Sequence, residues 1–313
     1  MSGTGSAATG PERTPAPAGG PHGVAAAGAP GPTGAAAAEP AWVDAHVHIF
    51  SPDVVARRDS YLPRDARFAA LYTDPRARMA TAEEVLAEMD CCGVETSVVF
   101  GFPFRDQGLC RATNDYVLEA MAAHLGRLAG LACVAPGAPG AVAELERCLD
   151  AGMRGCGELA PDGGDAARKE LAGIAGLLRE RDLPLMLHAN EPVGHEYPGK
   201  SGFGPEAAAA CVEAYPGTKL VFAHMGGGLF LYEAMPELRR ILADCYYDTS
   251  ALPYLYDAGV YKAVEATAGL HKLLFGSDYA LLSPSRYRAG LQCLSPEGRA
   301  AVCGDNARKV FRI

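Results

Sequence analysis

The sequence lacks the features expected of a membrane, secreted or nucleic-acid-binding protein. None of its apolar runs approaches the roughly 18–20 residues that span a bilayer. Residues 1–20 contain no basic segment followed by an apolar one, so no secretory signal is predicted. Acidic residues outnumber basic ones, 37 to 28, and the net charge of −9 disfavours binding to nucleic acid or to an anionic membrane.

The ten cysteines form no Cys-x-x-Cys pair, and most of them lie within predicted helices and strands. Disulfide frameworks occur mainly in short secreted chains, whereas scattered cysteines in a long chain behave as small apolar side chains. This usage predicts a cytoplasmic protein with reduced cysteines.

Residues 1–40 are almost entirely Gly, Ala, Pro, Ser and Thr, with no aromatic residue and a single Val24. Such a segment buries too little apolar surface to offset the entropy lost on ordering. The composition therefore predicts a disordered tail over 1–40, followed by one globular domain over 41–313.

Within 41–313, short apolar segments alternate with amphipathic helical segments. The apolar segments show continuous rather than alternating hydrophobicity, which is typical of parallel strands covered on both faces. The eight candidate strands are 42–46, 96–100, 128–134, 153–158, 184–188, 219–224, 245–249 and 272–276. Their spacing and the length of the domain predict an α/β fold, a (β/α)₈ TIM barrel. An open doubly wound sheet is the alternative, but no glycine-rich phosphate turn follows the first strand.

Four of these strands lead to a residue type that binds metals. The segments are Asp-Ala-His-Val-His at 44–48, Leu-Met-Leu-His at 185–188, Leu-Val-Phe-Ala-His at 220–224 and Leu-Leu-Phe-Gly-Ser-Asp at 273–278. His46 and His48 are two apart on a strand and share a face. Because strand ends of a barrel meet at one rim, His188, His224 and Asp278 are expected to join them.

With these motifs in this order, the chain resembles the amidohydrolase superfamily, and in particular its amidohydrolase-related branch of metal-dependent hydrolases and decarboxylases. The closing segment Gly-Asp-Asn-Ala-Arg-Lys-Val-Phe at 304–311 adds to the resemblance. The resemblance implies that His46, His48, His188 and Asp278 surround a divalent metal. Zinc is the expected metal, Mn²⁺ or Fe²⁺ are the alternatives, and one or two ions are bound. His224 is implied either as a second-metal ligand or as a group that polarises the substrate.

Glu158 ends the fourth strand, where superfamily members place a carboxylated lysine or a glutamate. A glutamate here either ligates the metal, bridging two ions, or accepts a hydrogen bond from a ligand histidine. We predict ligation and include Glu158 among the metal ligands.

The predicted function is a metal-dependent hydrolase that cleaves a C–N or C–O bond of an amide, lactone or ester. A metal lowers the pKa of bound water to about 7, and Asp278 would accept the water proton and pass it to the leaving group while His224 stabilises the oxyanion. Two alternatives stay open: a zinc-dependent, non-oxidative decarboxylase of an unsaturated or aromatic acid, and a non-catalytic metal-binding barrel.

Candidate substrate contacts come from the loops after the first, second and fifth strands. Arginine and lysine in an acidic protein suit a small carboxylate-bearing molecule. The candidates are Arg64, Phe104, His195 and Lys200. A small-molecule substrate is the predicted partner, and the resemblance implies a homodimer.

Overall fold

The structure is a computed structural model that describes residues 41–194 and 196–313. The predicted disordered tail, 1–40, and His195 lie outside the described residues, so the domain boundary at residue 40 stays a prediction. In the described part of the chain, no helix combines the length and apolar character that crossing a membrane requires.

Eight parallel strands form the centre of the described chain. They are β1 (Trp42–His48), β2 (Val94–Phe100), β3 (Leu128–Gly130), β4 (Cys156–Leu159), β5 (Leu185–Leu187), β6 (Leu220–Phe222), β7 (Cys245–Asp248) and β8 (Leu273–Leu274). Strands β1–β3 pair in order, as do β4–β8. Parallel bridges from Ala132 to Cys156 and from Val47 to Tyr279 join the two sets, which closes the barrel.

Helices follow the strands along the chain and cover the barrel. The α-helices are α1 (Pro52–Ala56), α2 (Arg58–Tyr61), α3 (Ala66–Tyr72), α4 (Ala82–Cys92), α5 (Gln107–Ala123), α6 (Ala141–Asp150), α7 (Asp165–Arg181), α8 (Pro205–Ala214), α9 (Pro236–Ile241), α10 (Leu252–Leu255), α11 (Val260–Ala266), α12 (Arg288–Leu291), α13 (Pro296–Ala300) and α14 (Asn306–Phe311). Turns of 3₁₀-helix lie at Leu62–Arg64, His224–Ala234, Leu270–Lys272 and Pro284–Tyr287, and a π-helical turn lies at Ala301–Asp305.

The predicted (β/α)₈ barrel is confirmed, and all eight predicted strands overlap observed ones. The start of α4 illustrates why local sequence predicts these elements well. The Thr81 side chain accepts a hydrogen bond from the backbone of Glu84, and the Glu84 carboxylate accepts one from the backbone of Thr81. This capping box satisfies backbone groups that the first helical turn leaves without partners.

The apolar core has two main parts. One lies between the strands and the surrounding helices, and the other fills the barrel interior with residues such as Val98, Leu131 and Met186. Val310 and Phe311 of α14 pack against the interior part, so the last helix closes one end of the barrel. All ten cysteines are free, and eight of them are buried, as expected for cysteines that serve as small apolar side chains.

Two long loops leave the rim at which the strands end. Residues 49–80, which contain α1, α2 and α3, follow β1, and residues 188–204 follow β5. Asn190 holds the base of the second loop, because its side chain accepts hydrogen bonds from the backbone and the hydroxyl of Ser201. These loops build the walls above the candidate site.

Candidate metal centre

The rim of the barrel brings together all six residues that the sequence nominated as metal ligands. His46 and His48 lie on β1 with ring centroids 5.4 Å apart, and His46 is fully buried. His188 follows β5, and its ring lies 4.8 Å from that of His224, which follows β6. The predicted convergence of these imidazoles is therefore observed, while their role as ligands stays a proposal.

Glu158 lies at the centre of this group. Its Oε2 is 3.6 Å from His48 Nε2 and 4.0 Å from His46 Nε2. Its Oε1 is 3.1 Å from His188 Nδ1 and 3.4 Å from His224 Nε2. Each carboxylate oxygen thus faces a different pair of imidazoles.

Asp278 faces the first of these pairs. Its Oδ1 lies 3.9 Å from His46 Nε2 and 3.8 Å from His48 Nε2. The backbone N–H of Asp278 donates to the carbonyl of His46 over 2.9 Å. Gly276 allows this close approach, because a Cβ there would lie 2.7 Å from the Cβ of His46.

His224 is positioned by an unusual turn at the end of β6. His224, Met225 and Gly226 all have φ near +60°, and two further glycines continue the left-handed turn. Glycine adopts this conformation at little cost. At Gly227 a side chain is excluded as well, since a Cβ would lie 2.3 Å from the carbonyl oxygen of Asn190.

The donor set fits a divalent cation. His46 Nε2 is buried and makes no hydrogen bond among the described residues. Its separations of 3.9–4.0 Å from two carboxylate oxygens are too long for hydrogen bonds. They suit atoms that share one ion at roughly 2.0–2.2 Å each. Two overlapping groups of residues have ligand atoms close enough together to share one ion. The first is His46 with His48 and Glu158, and the second is Glu158 with His188 and His224.

Without an ion, the carboxylates hold protons on two of the imidazoles. Burial by itself would lower the pKa of His46, but Asp248 and Glu158 raise it to about 10. Burial likewise opposes protonation of His224, whose pKa Glu158 nevertheless raises to about 9. Burial lowers the pKa of His188, although the neighbouring Glu158 carboxylate opposes that shift. Burial would raise the pKa of Glu158, but the surrounding imidazoles, foremost His188 and His46, hold it well below its usual value.

We expect metal binding to release protons and to tighten as pH rises. His46 and His224 carry protons at pH 7 because their pKa values are about 10 and 9, and only neutral imidazole ligates. Titration calorimetry in two buffers of different ionisation enthalpy measures the protons released. We expect at least about one proton to be released per metal ion bound at pH 7, and fewer protons at pH 9.5. A proton count of zero at pH 7 would contradict this expectation.

Asp248, at the end of β7, is a component of the site that the sequence analysis did not single out. It is fully buried, and its Oδ2 lies 2.8 Å from His46 Nδ1. Its Oδ1 accepts the backbone N–H of His224 over 3.0 Å, and the Ser250 hydroxyl donates to the same oxygen. The Ser250 hydroxyl lies 2.9 Å from His224 Nδ1. One carboxylate therefore orients the imidazole of His46, on β1, and that of His224, which follows β6. The position of Asp248 at the end of a strand was the sequence feature that could have identified it.

Replacing Asp248 by asparagine should weaken metal binding about 10- to 100-fold, the usual effect of removing a carboxylate that orients a ligand histidine. Competition with a fluorescent chelator at pH 7 measures the affinity. Asp162→Asn is the matched control, because Asp162 is an exposed residue that pairs with Arg105. Equal metal affinities in the two variants would refute an orienting role for Asp248.

A cavity of about 420 Å³ opens directly onto five of the six candidate ligands, and His46 lies buried beneath them. Its floor includes His48, Glu158, His188, His224 and Asp278. Its walls are mostly apolar and aromatic. They include Phe50, Leu71, Tyr72, Phe102, Tyr197, Tyr254, Leu255 and Leu281, together with Arg67 and Arg78.

Three of the four candidate substrate residues fall within the described part of the chain, and they lie outside the cavity lining. Arg64 is exposed and rests 5.5 Å above the ring of Tyr61. Phe104 is buried against Phe68 and Phe102, and Lys200 lies 3.2 Å from the carboxylate of Glu196. Among the described residues, none of these three lines the cavity. His195 lies outside the described residues.

Arg67, Arg78 and Tyr72 line the cavity instead. Arg64 precedes α3 and Arg67 lies inside it, and of these two arginines only Arg67 lines the cavity.

Comparison with solved structures places this fold among known enzymes. A 5-carboxyvanillate decarboxylase from Sphingomonas paucimobilis is 18% identical, with a TM-score of 0.70 over 87% of this chain and 99% of its own. A dihydroxybenzoic acid decarboxylase from a Polaromonas species, with bound manganese and 2-nitroresorcinol, is 17% identical, with a TM-score of 0.64 over 87% and 97%. A 4-oxalomesaconate hydratase from Rhodopseudomonas palustris is 16% identical, with a TM-score of 0.59 over 87% and 95%.

Over most of the barrel, the sequence itself matches a known protein family. No curated protein sequence matches this chain significantly. The sequence profile of the amidohydrolase family matches residues 43–313, which is nearly the whole of the described chain. On this evidence the chain belongs to the amidohydrolase family.

Proposed function

We propose that this protein is a divalent-metal-dependent, non-oxidative decarboxylase of a small aromatic or unsaturated carboxylic acid. The observation that carries the proposal is the cavity, whose aromatic and aliphatic walls suit a planar ring directly above the candidate metal ligands. The decarboxylases among the similar structures support this choice over hydrolysis, which the sequence analysis ranked first.

The metal itself is proposed only as a divalent ion. Four imidazoles and two carboxylates suit zinc, and the dihydroxybenzoic acid decarboxylase to which this chain is similar was solved with manganese. His46, His48 and Glu158 would hold one ion, with Asp278 beside them, while Glu158, His188 and His224 would hold a second or assist the first. A bound ion would polarise an oxygen of the substrate and neutralise its charge.

The chain supplies the remaining chemistry. Asp278, protonated from solvent between turnovers, would donate its proton to the ring carbon that carries the carboxyl group. A C–H bond forms, the bond to the carboxyl carbon breaks, its electron pair restores the ring, and carbon dioxide leaves. With one ion bound, His224 would keep its proton and donate a hydrogen bond to a substrate oxygen. The apolar walls would exclude water from the reacting carbon.

Hydrolysis is the second candidate, and the position of Glu158 is the observation that favours it. A carboxylate whose two oxygens face separate imidazole pairs can bridge two ions, the arrangement found in several metal-dependent hydrolases. In that case His224 would be a ligand and Asp278 would accept a proton from the attacking water.

Product analysis distinguishes the two reactions. Protein loaded with zinc or manganese is incubated with a panel of hydroxybenzoic acids, unsaturated acids, lactones and amides. Release of carbon dioxide, its loss after chelation and its recovery on adding metal would support decarboxylation. Incorporation of ¹⁸O from labelled water into the product, without carbon dioxide, would replace it with hydrolysis. Metal-loaded protein that transforms none of these compounds would favour the non-catalytic alternative.

A cytoplasmic location and a homodimer stay predictions. Size-exclusion chromatography with light scattering measures the subunit count directly.

A further inference from the structure

The cavity above the candidate ligands is larger than a single aromatic ring requires. An apolar cavity of roughly 150 Å³ is large enough to bind benzene, whereas this cavity measures about 420 Å³. A metal ion and its water molecules would occupy part of the difference, at roughly 30 Å³ for each water molecule. Space for several further non-hydrogen atoms remains beside a bound ring.

The side chains that line this cavity differ in exposure between its floor and its mouth. Phe50 and Phe102 are 3% and 2% exposed, and Phe50 lies two residues after His48. Tyr254 and Leu281 line the same cavity but are 54% and 55% exposed. The inner wall is therefore a buried aromatic surface beside the candidate ligands, and the outer wall is an apolar surface in contact with solvent.

Tyr254 and Leu281 come from separate loops, and a backbone hydrogen bond holds each of them in its turn. Tyr254 lies on α10, after β7, and its N–H donates to the carbonyl of Ala251 over 2.9 Å. Leu281 follows β8, and its N–H donates to the carbonyl of Asp278 over 2.8 Å. A single exposed apolar side chain is common, whereas several at the mouth of one cavity are typical of a ligand-binding surface.

We propose that Tyr254 and Leu281 form an outer apolar subsite, which binds a hydrocarbon arm of the substrate. The substrate class is then an aromatic or unsaturated acid that carries an alkyl or aryl group on the side opposite its carboxyl group. This inference rests on the proposed function and makes it more specific.

The position of the arm follows from the position of the carboxyl group. With the carboxyl group against the candidate ligands, ring position 4 is the farthest from the floor of the cavity. A substituent there extends toward the mouth, where Tyr254, Leu255 and Leu281 present apolar surface. Arg78 also lines the cavity, but its guanidinium group lies over the ring of Tyr279 and donates to that hydroxyl over 3.3 Å. Burial of hydrocarbon on this surface would stabilise the complex in proportion to the apolar area removed from water.

The subsite is tested with benzoate and its 4-methyl, 4-ethyl, 4-propyl and 4-butyl derivatives. Calorimetry with the manganese-loaded full-length protein measures each dissociation constant. We expect each added methylene to tighten binding about 2- to 4-fold, as for hydrocarbon removed from water. The matched polar probe is 4-(2-methoxyethyl)benzoate, which has the length of the butyl compound and one ether oxygen. It should bind at least about 3-fold more weakly than 4-butylbenzoate, because burying the oxygen costs free energy.

Matched variants locate the arm. The double variant Tyr254→Ser with Leu281→Asn should reduce the gain in affinity from benzoate to 4-butylbenzoate at least about 3-fold. Both side chains are more than half exposed, so the variant is expected to fold, and thermal unfolding checks this. The control is the double variant Tyr232→Ser with Leu125→Asn, which alters two exposed residues that do not line this cavity. The control should retain the full gain.

The inference is overturned if none of the probes binds, if 4-butylbenzoate binds no better than benzoate, or if the polar probe binds as tightly as the butyl compound. It is also overturned if the Tyr254 and Leu281 double variant keeps the full gain. A second copy of the chain seated on these two side chains would leave no gain either. These readouts do not require turnover. A failure to release carbon dioxide would therefore remove the proposed reaction, whereas a missing gain would remove the outer subsite alone.

Discussion

Replacing Asp278 by asparagine should lower kcat about 10²- to 10⁴-fold, the range expected when a positioned proton donor is removed. Asparagine has nearly the same shape and keeps the backbone hydrogen bond to His46, but it has no proton to donate to carbon. The same residue carries the proton in the hydrolytic alternative, so the prediction holds for either reaction. Steady-state kinetics with the substrate found by product analysis measures the effect.

The loss has to be separated from loss of metal, because Asp278 Oδ1 also lies 3.8–3.9 Å from two candidate ligand nitrogens. Metal content is therefore measured alongside kcat, and activity is compared at saturating metal. Asp162→Asn, at an exposed site paired with Arg105, should behave like the unmodified protein. Asp278→Asn protein that turns over at full rate would show that another group moves the proton.

Replacing Glu158 by glutamine should weaken metal binding at least about 100-fold and reduce activity in parallel. The carboxylate is 5% exposed and contacts four imidazoles, two with each oxygen. Glutamine supplies one neutral oxygen in place of two charged ones, and removing one partner from a buried charged cluster is strongly unfavourable. Equilibrium dialysis followed by elemental analysis measures both affinity and stoichiometry.

The stoichiometry of this variant also tests the bridging role. If Glu158 holds two ions, the unmodified protein binds two equivalents and Glu158→Gln binds one or none. If it orients a ligand of a single ion, both proteins bind one equivalent at saturation, with different affinities. Glu213→Gln, an exposed residue of α8, is the control for the change of net charge. Unaltered affinity in Glu158→Gln would exclude both roles.

The local elements were predictable because their causes are local. Apolar runs such as Leu220–Phe222 require cover on both faces, and the capping pair of Thr81 and Glu84 starts α4 where its chemistry permits. The candidate ligands were predictable for a related reason. In a barrel the strand ends share one rim, so His188 and Asp278 had to approach each other although they are far apart in sequence.

The cavity wall was not predictable to the same degree. Phe102 and Phe104 are two apart in one loop, yet Phe102 lines the cavity while Phe104 packs inside the aromatic cluster. Arg64 and Arg67 are three apart, and only Arg67 reaches the cavity. The segments after β1 and β2 pack against distant parts of the chain, so the direction of each side chain depends on those contacts, such as that of Arg67 with Gly199.

The amino-acid sequence by itself determined the barrel, the family and the set of residues that gather at its rim. Apolar strands and their polar ends can be read from neighbouring residues along the chain. Closure of the barrel then brings the polar ends together at one rim. Only the tertiary structure decided the partners of these residues. Asp248 orients His46 and His224, Glu158 lies between two imidazole pairs, and Arg67 and Tyr72 face the cavity. Distances of a few ångströms between segments 202 residues apart, as for His46 and Asp248, are set by packing, which local sequence does not encode.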